Sequence, residues 1–169
     1  HKMNFISPYI ELPKKLTVRQ NLIVYGKLYN VSNLNEQIDY LSNRLRLNKL
    51  LDNVTGELSS GQKNRVSLAK ALINNPTVLL LDEPTASLDP ETGDFIRTFL
   101  ENYKKEKKIS VLLASHNMDE VKRLCSSVLM MKDGIIVDSG TPDLLIKKYG
   151  RKNLEEVFLE LVRNKNEFN

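Results

Sequence analysis

LSSGQKNRVSLAKALINNPTVLLLDEPTASLD, residues 58–89, joins a polar helix start, an apolar strand and an acidic turn without a spacer. Ser59 is a good N-cap and Gln62, three residues on, completes a capping box, so a helix opens at Ser60. The small residues Ser59, Ser60 and Gly61 let an anion approach free backbone N–H groups and the positive end of the helix dipole. Val66, Ala69, Leu72 and Ile73 keep helical spacing behind that end. Asn74, Asn75 and Pro76 stop the helix, and Val78, Leu79, Leu80 and Leu81 form a run of strand length, expected to be buried on both faces. Asp82 and Glu83 end the run. A carboxylate pair at the C-terminal end of a buried strand can hold hydrated Mg²⁺ and poise a water for attack on a phosphoryl group. Taken singly, a capping box only starts a helix and an acidic turn only ends a strand. Their order is more specific than either piece alone.

In that order the stretch resembles, without a gap, the signature motif, Walker B strand and D-loop of ATP-binding cassette (ABC) ATPases. The resemblance implies an α/β fold: a partial P-loop NTPase of the ABC type, with a mostly parallel sheet core, a helical subdomain, and a C-terminal hairpin and helices. It implies that Ser59, Ser60, Gly61 and Gln62 face the γ-phosphate of an ATP held mainly by a second copy of the domain. Ser60 stands where glycine is commoner, and a serine keeps the backbone N–H. Asp82 matches the aspartate that orients Mg²⁺ through water, and Glu83 matches the general base. Ser87, Leu88 and Asp89 match the D-loop that crosses between subunits. Asp89 also precedes Pro90 at a first helical position, which makes it an N-cap. ATP and Mg²⁺ are the implied cofactors.

Composition sets the bounds. The chain has 169 residues, 41% of them hydrophobic, which suits one globular unit with a core lean in aromatics and without tryptophan. Cys125 is the single cysteine, so no internal disulfide forms, which fits a reducing compartment. No apolar stretch approaches a membrane span, and HKMNFISPYIELP at the start lacks the apolar core of a signal peptide. A net charge of +4 is mild, and Lys104, Lys105, Lys107 and Lys108 read as solvated charges at a helix end; no nucleic-acid partner is expected.

In chain order, residues 1–16 form the first segment, with Met3 to Ser7 as the end of a strand and Pro8 to Lys15 as a loop. The resemblance places the Q-loop there, yet Ser7 and Pro8 stand where the family supplies a glutamine to metal and water, and neither replaces its reach. Residues 17–57 are the expected helical subdomain. Thr17 and Gln20 make a second capping box, Val18, Leu22, Tyr25 and Tyr29 a helical stripe, and Leu34, Ile38, Leu41 and Leu45 another. Tyr9 to Leu12 and the following helix are where the resemblance implies contact with a transmembrane transporter subunit.

Residues 58–140 are the expected catalytic core. Past the D-loop, Phe95, Ile96, Phe99, Leu100 and Tyr103 mark a helix, and Ile109 to Ala114 a further buried strand. His116 follows that strand, where open α/β sheets gather ligand-binding groups, and matches the switch histidine that bonds the γ-phosphate and the attacking water. Asn117 to Cys125 reads as a short helix, and Val128 to Lys132 with Ile135 to Asp138 as a hairpin turning on Asp133 and Gly134. In residues 141–169, Leu154, Val157, Phe158, Leu161 and Val162 line a last helix, and NLEEVFLELV resembles the end of ATPase subunits of the ABC-2 exporter branch.

No segment of these residues reads G-x-x-x-x-G-K-[ST], the phosphate-cradling loop. The expectation is therefore a portion of a longer ABC ATPase, from about the Q-loop onward, with an unpaired edge at Val78–Leu81 and Val111–Ala114, exposed apolar faces, and a tendency to self-associate. Three functions are open. The first is the ATP-binding subunit of an ABC transporter, peripheral on the inner face of the cell membrane and dimerising with a second ATP-binding domain. The second is an incomplete module that only binds or dimerises. The third, the ABC-type head of a DNA-repair protein, calls for a heptad-repeat insertion that the sequence lacks.

Overall fold

Alternation of inward and outward side chains sets three short strands in the computed structural model, which describes residues 2–7 and 11–163. β1 (Met3–Ile6), β2 (Val78–Asp82) and β3 (Ser110–Ala114) form a parallel sheet in the order β1-β2-β3. Asn4 and Ile6 lie in register with Leu79 and Leu81, and all of these face inward and are buried. Phe5, Leu80 and Leu112 form an in-register row on the other face, where Phe5 is 51% and Leu112 64% exposed. Two expectations are corrected by this. Val78–Leu81 is buried on one face only, and the strand expected as buried over 109–114 begins at Ser110 with half-buried and exposed side chains. A pleated strand buries alternate residues wherever one face of its sheet is covered. Furthermore, β2 is the central strand and is paired on both edges, so among the described residues the unpaired edges are the outer ones of β1 and β3. The exposed apolar face is as expected.

Contacts group the chain into two compact units, His1–Ala114 and Ser115–Asn169. In the first, α1 (Val18–Leu28), α2 (Leu34–Arg44) and α3 (Ser60–Leu72) pack on one another around Leu22, Ile38, Leu41, Val66 and Leu72, none of which is accessible. Both expected capping boxes are formed in full, at Thr17 with Gln20 and at Ser59 with Gln62. α3 also packs on β1, where the buried Asn4 amide donates to the Ala71 carbonyl and to Asn74 Oδ1, both at 2.6 Å. α4 (Pro90–Lys107) buries Ile96, Phe99, Leu100 and Tyr103 and is tied to α2 by Arg44 and Glu106 at 2.8 Å. It ends at Lys108, which takes the left-handed conformation.

The loop entering α1 pairs with the chain leading into α3. Gly56 N donates to the Lys14 carbonyl, Thr55 N to Leu16, and Val18 N to Asn53. Two 3-10 turns, Asn48–Leu50 and Thr55–Glu57, carry the chain through that pairing. Leu12, in the segment where a transmembrane partner is expected, is buried. Tyr9, Ile10 and Pro8 lie outside the described residues. Val24 and Leu28 of α1 are exposed, Leu28 to 64%.

The second unit contains α5 (Met118–Leu124), β4 (Val128–Lys132), β5 (Ile135–Gly140), α6 (Pro142–Tyr149) and α7 (Leu154–Arg163). Asp133 and Gly134 both have positive φ, 51° and 78°, the backbone of the expected two-residue turn. β5 runs two residues beyond the expected Asp138, and the register shifts between Met130 and Met131. α7 packs on β4, α5 and α6 and buries Leu154 and Val157.

Candidate functional site

Asp82 is the last residue of β2, and Ser7 follows β1 directly beside it. The Ser7 hydroxyl donates to Asp82 Oδ2 at 3.0 Å. One residue further, the Glu83 N–H donates to the Ala114 carbonyl at 2.8 Å, extending the β2–β3 ladder past the strand end. This holds Glu83 at φ 47°, in the left-handed region, where a residue with a Cβ pays roughly 1–2 kcal/mol. Ala86 N donating to the Glu83 carbonyl at 3.1 Å and Leu88 N to Thr85 at 3.3 Å close the turn, and Ser87 is also left-handed at φ 59°. Such backbone persists only where surrounding bonds over-determine it.

The start of α3 is built by its cap. Ser59 Oγ accepts from Gln62 N at 3.3 Å, while Ser59 N donates to Gln62 Oε1 at 3.0 Å. Both polar side chains are thus engaged with the cap backbone. The N–H groups of Ser60 and Gly61 have no acceptor within the helix, because first-turn donors never do. Ser59 and Ser60 are exposed, Gly61 and Gln62 half-buried. Gly61 is where the start of α3 meets the start of α4: a Cβ there would stand 3.1 Å from Thr92 Cγ2. Asp89 caps α4 by accepting from Thr92 N at 2.9 Å, and its bonds to Thr92 hold its carboxyl below the usual range.

These pieces surround one cleft of about 310 Å³ lined by Ser7, Ser60, Lys63, Asn64, Glu83 and Ser87 among others. The end of β1, the start of α3 and the turn from Glu83 to Leu88 therefore share one space. Asn64 is the residue that sequence reasoning missed. Its Nδ2 donates to the Pro84 carbonyl at 2.8 Å, joining α3 to the residue after Glu83. The available signal was spacing, since Asn64 lies four residues after Ser60 and so on the same helix face.

For a divalent cation, Asp82 and Ser7 offer adjacent oxygens. Among the described residues no group of three or more His, Cys, Asp or Glu is close enough to form a closed metal cage. One carboxylate beside a hydroxyl is a donor set that suits Mg²⁺, which keeps several waters and binds through one or two carboxylates plus substrate phosphates.

His116 is the second residue of the second unit and is exposed. The turn that carries it is locally fixed. Ser115 Oγ donates to the fully buried Glu120 Oε2 at 2.8 Å and accepts from Asn117 N at 3.1 Å, while Asn117 Oδ1 caps α5 by accepting from Glu120 N.

A sequence profile of the family described as ABC transporter matches residues 1–86. The ABC transporter ATP-binding protein NatA of Bacillus subtilis (strain 168) is 33% identical over 152 residues, which are 88% of this chain and 61% of NatA. The Nod factor export ATP-binding protein I of Rhizobium sp. (strain N33) is 35% identical over 155 residues, 90% of this chain and 51% of that protein. The chain thus spans 51% to 61% of the length of these curated relatives. A solved structure described as the ATP-binding subunit of an ABC transporter matches with a TM-score of 0.81 at 25% identity, covering 95% of this chain and 68% of that one. A dimeric post-hydrolysis ATP-binding cassette bound to ADP and Pi matches with a TM-score of 0.75 at 24% identity, covering 83% and 62%, a likeness of fold alone. The expected α/β fold of the ABC type is the fold these structures share.

Proposed function

The chain belongs to the ABC transporter family, and on that premise we propose that it carries the signature, Walker B and switch-histidine part of an ATP-binding subunit that hydrolyses ATP as a dimer and drives a transmembrane partner. The observation that carries this reading is the single cleft in which Ser60, Glu83 and Ser87 meet.

In the proposed dimer, the backbone N–H groups of Ser60 and Gly61 receive the γ-phosphate of a nucleotide bound mainly by the other copy, where the helix dipole favours negative charge. Asp82, steadied by Ser7, would hold hydrated Mg²⁺, which would supply positive charge to the phosphate oxygens. Glu83 accepts a proton from water as the water oxygen bonds to the γ-phosphorus and the bridging oxygen leaves with ADP. His116 donates to the γ-phosphate, and Ser87 to Asp89 reach toward the neighbouring subunit. The segments 1–16, 17–57, 58–140 and 141–169 are proposed as functional divisions of this work. Among the described residues no helix is long and apolar enough to cross a membrane, so we assign the passage to a partner, with the exposed Val24 and Leu28 of α1 on the docking side and the subunit on the inner face of the membrane.

The test uses protein expressed from the complete reading frame. Glu83→Gln is expected to lower kcat by at least a hundredfold, with Mg-ATP binding retained and an ATP-dependent dimer appearing on gel filtration. Undiminished hydrolysis in Glu83→Gln, or no ATP binding by the wild type at millimolar nucleotide, overturns the reading.

A further inference from the structure

We propose that Asn64 is a positioning residue that couples the start of the signature helix to the general base. This rests on the assignment of Glu83 as that base. Asn64 sits on α3 in the same cleft as Ser60, and its amide bonds the Pro84 carbonyl at 2.8 Å. Pro84 follows Glu83 and is buried, and as a proline it contributes no N–H to the turn. The bonds of the turn include the Glu83 N–H to Ala114, the Ala86 N–H to Glu83, the Leu88 N–H to Thr85, and the Asn64 amide to Pro84. The first three lie within the sheet and the turn. The fourth comes from α3.

The geometry makes the bond a lever. Glu83 is held in the left-handed region, so releasing the Pro84 carbonyl lets φ of Glu83 relax toward negative values and swings its carboxylate. The start of α3 is held by its own contacts, because its cap closes on Ser59 and Gln62 and its Gly61 abuts Thr92. Anion capture at the N–H groups of Ser60 and Gly61 acts on the same rigid helix that carries Asn64 one turn on. A shift of that helix is thereby transmitted to the peptide after Glu83. Engagement of the neighbour's phosphate and alignment of the base become one event.

The experiment compares wild type, Glu83→Gln, Asn64→Leu and Asn64→Gln, all from the complete reading frame. Asn64→Leu keeps the branching of the side chain and removes the donor. It is expected to lower kcat about tenfold with KM for Mg-ATP within twofold of wild type, and to speed hydrogen exchange at the Ala86 amide. Asn64→Gln, whose longer side chain retains the amide donor, is expected to restore kcat to within about threefold. Where the leucine variant does not fold, Asn64→Ser, too short to reach the carbonyl, is read in its place. A kcat within twofold of wild type in the donor-free variant overturns the proposal, as does an equal loss in the glutamine variant. So does unchanged Ala86 exchange. Failure of the underlying assignment is distinguishable, because Glu83→Gln then retains activity whatever the Asn64 variants do.

Discussion

The Ser7 hydroxyl reaches Asp82 Oδ2 at 3.0 Å from the strand next door, placing an alcohol beside the carboxylate proposed for Mg²⁺. The family pattern brings a glutamine to this region, and Pro8 occupies the adjoining position. A hydroxyl donates one proton and offers lone pairs, so it orients one carboxylate oxygen and leaves the other for water on the ion. Ser7→Ala is expected to raise the Mg²⁺ concentration for half-maximal hydrolysis by about threefold to tenfold, with maximal rate at saturating Mg²⁺ little changed. Removing the bond also costs on the order of 1 kcal/mol of stability. Mg²⁺ titrations at fixed ATP, with a urea melt alongside, check both; an unchanged Mg²⁺ dependence removes Ser7 from the metal's surroundings.

Gly61 sets how closely the starts of α3 and α4 approach. A methyl group at position 61 stands 3.1 Å from Thr92 Cγ2, tighter than ordinary van der Waals contact. Gly61→Ala gains helix propensity but must push the two helix starts apart, and it is expected to be destabilising by about 1 kcal/mol net. Thr92→Ser removes the offending methyl and keeps the hydroxyl, so the double variant recovers most of that loss. Denaturant melts of the two single variants and the double close this cycle. Simple additivity would show that the contact is not the cause.

What the sequence made legible was the chemistry that acts within a few residues. The cap at Thr17, the cap at Ser59 and the Asp133–Gly134 turn are formed as expected, because each is decided by side chains three or fewer positions apart. Burial was less legible. β3 has the composition of a buried strand, yet whether Leu112 is covered depends on what lies over the sheet, and composition carries no such information. Of the residues that line the cleft, Ser60 and Glu83 were expected from their order in the chain. Asn64 could not be read beyond its face, because its partner carbonyl lies 20 residues away and is aimed by a left-handed turn.

Asp138 in β5 makes the second unit pH-sensitive. Lys148 and the Tyr149 hydroxyl both donate to its Oδ2, at 2.8 and 2.6 Å. The bond from Lys148, then that from Tyr149, lowers the Asp138 carboxyl to about 2, and the same carboxylate raises Tyr149 to about 12. An unfolded aspartate titrates near 3.9. Since the folded value is depressed, the contribution is fully present above about pH 4 and is lost as pH falls toward 2. For Tyr149 the folded value is raised, so its contribution is present below about pH 10 and is lost as pH rises through 12. Asp138→Asn is expected to lower stability at pH 7 by about 1 kcal/mol, with Lys148 largely in solvent limiting the effect. Its acid limb should flatten between pH 4 and 2, and tyrosinate titration by ultraviolet absorption should place Tyr149 back near 10. An acid limb identical to wild type would remove Asp138 as the source.

Phe5, Leu80 and Leu112 run in register across the sheet, with Met3 alongside at 60% exposure. Burying a phenylalanine or leucine side chain is worth about 1.5–3 kcal/mol, so covering this row is favourable by several kcal/mol for any apolar surface that fits it. For the 169-residue chain alone, the available surface is the same row on a second copy, and the unpaired outer edges of β1 and β3 add backbone donors and acceptors to the contact. We therefore expect this chain to elute from gel filtration at sizes that increase with concentration. Phe5→Glu combined with Leu112→Glu changes only outward positions, leaving Ile6, Leu79 and Leu81 in the core. The double variant should stay monomeric at the same loading with an unaltered far-ultraviolet circular dichroism spectrum, because like charges across the face repel a second copy and gain nothing from burial. A wild-type chain that remains a dilute monomer and melts in one sharp cooperative step would show that the row is energetically neutral, and a variant that still associates would move the contact to the strand edges.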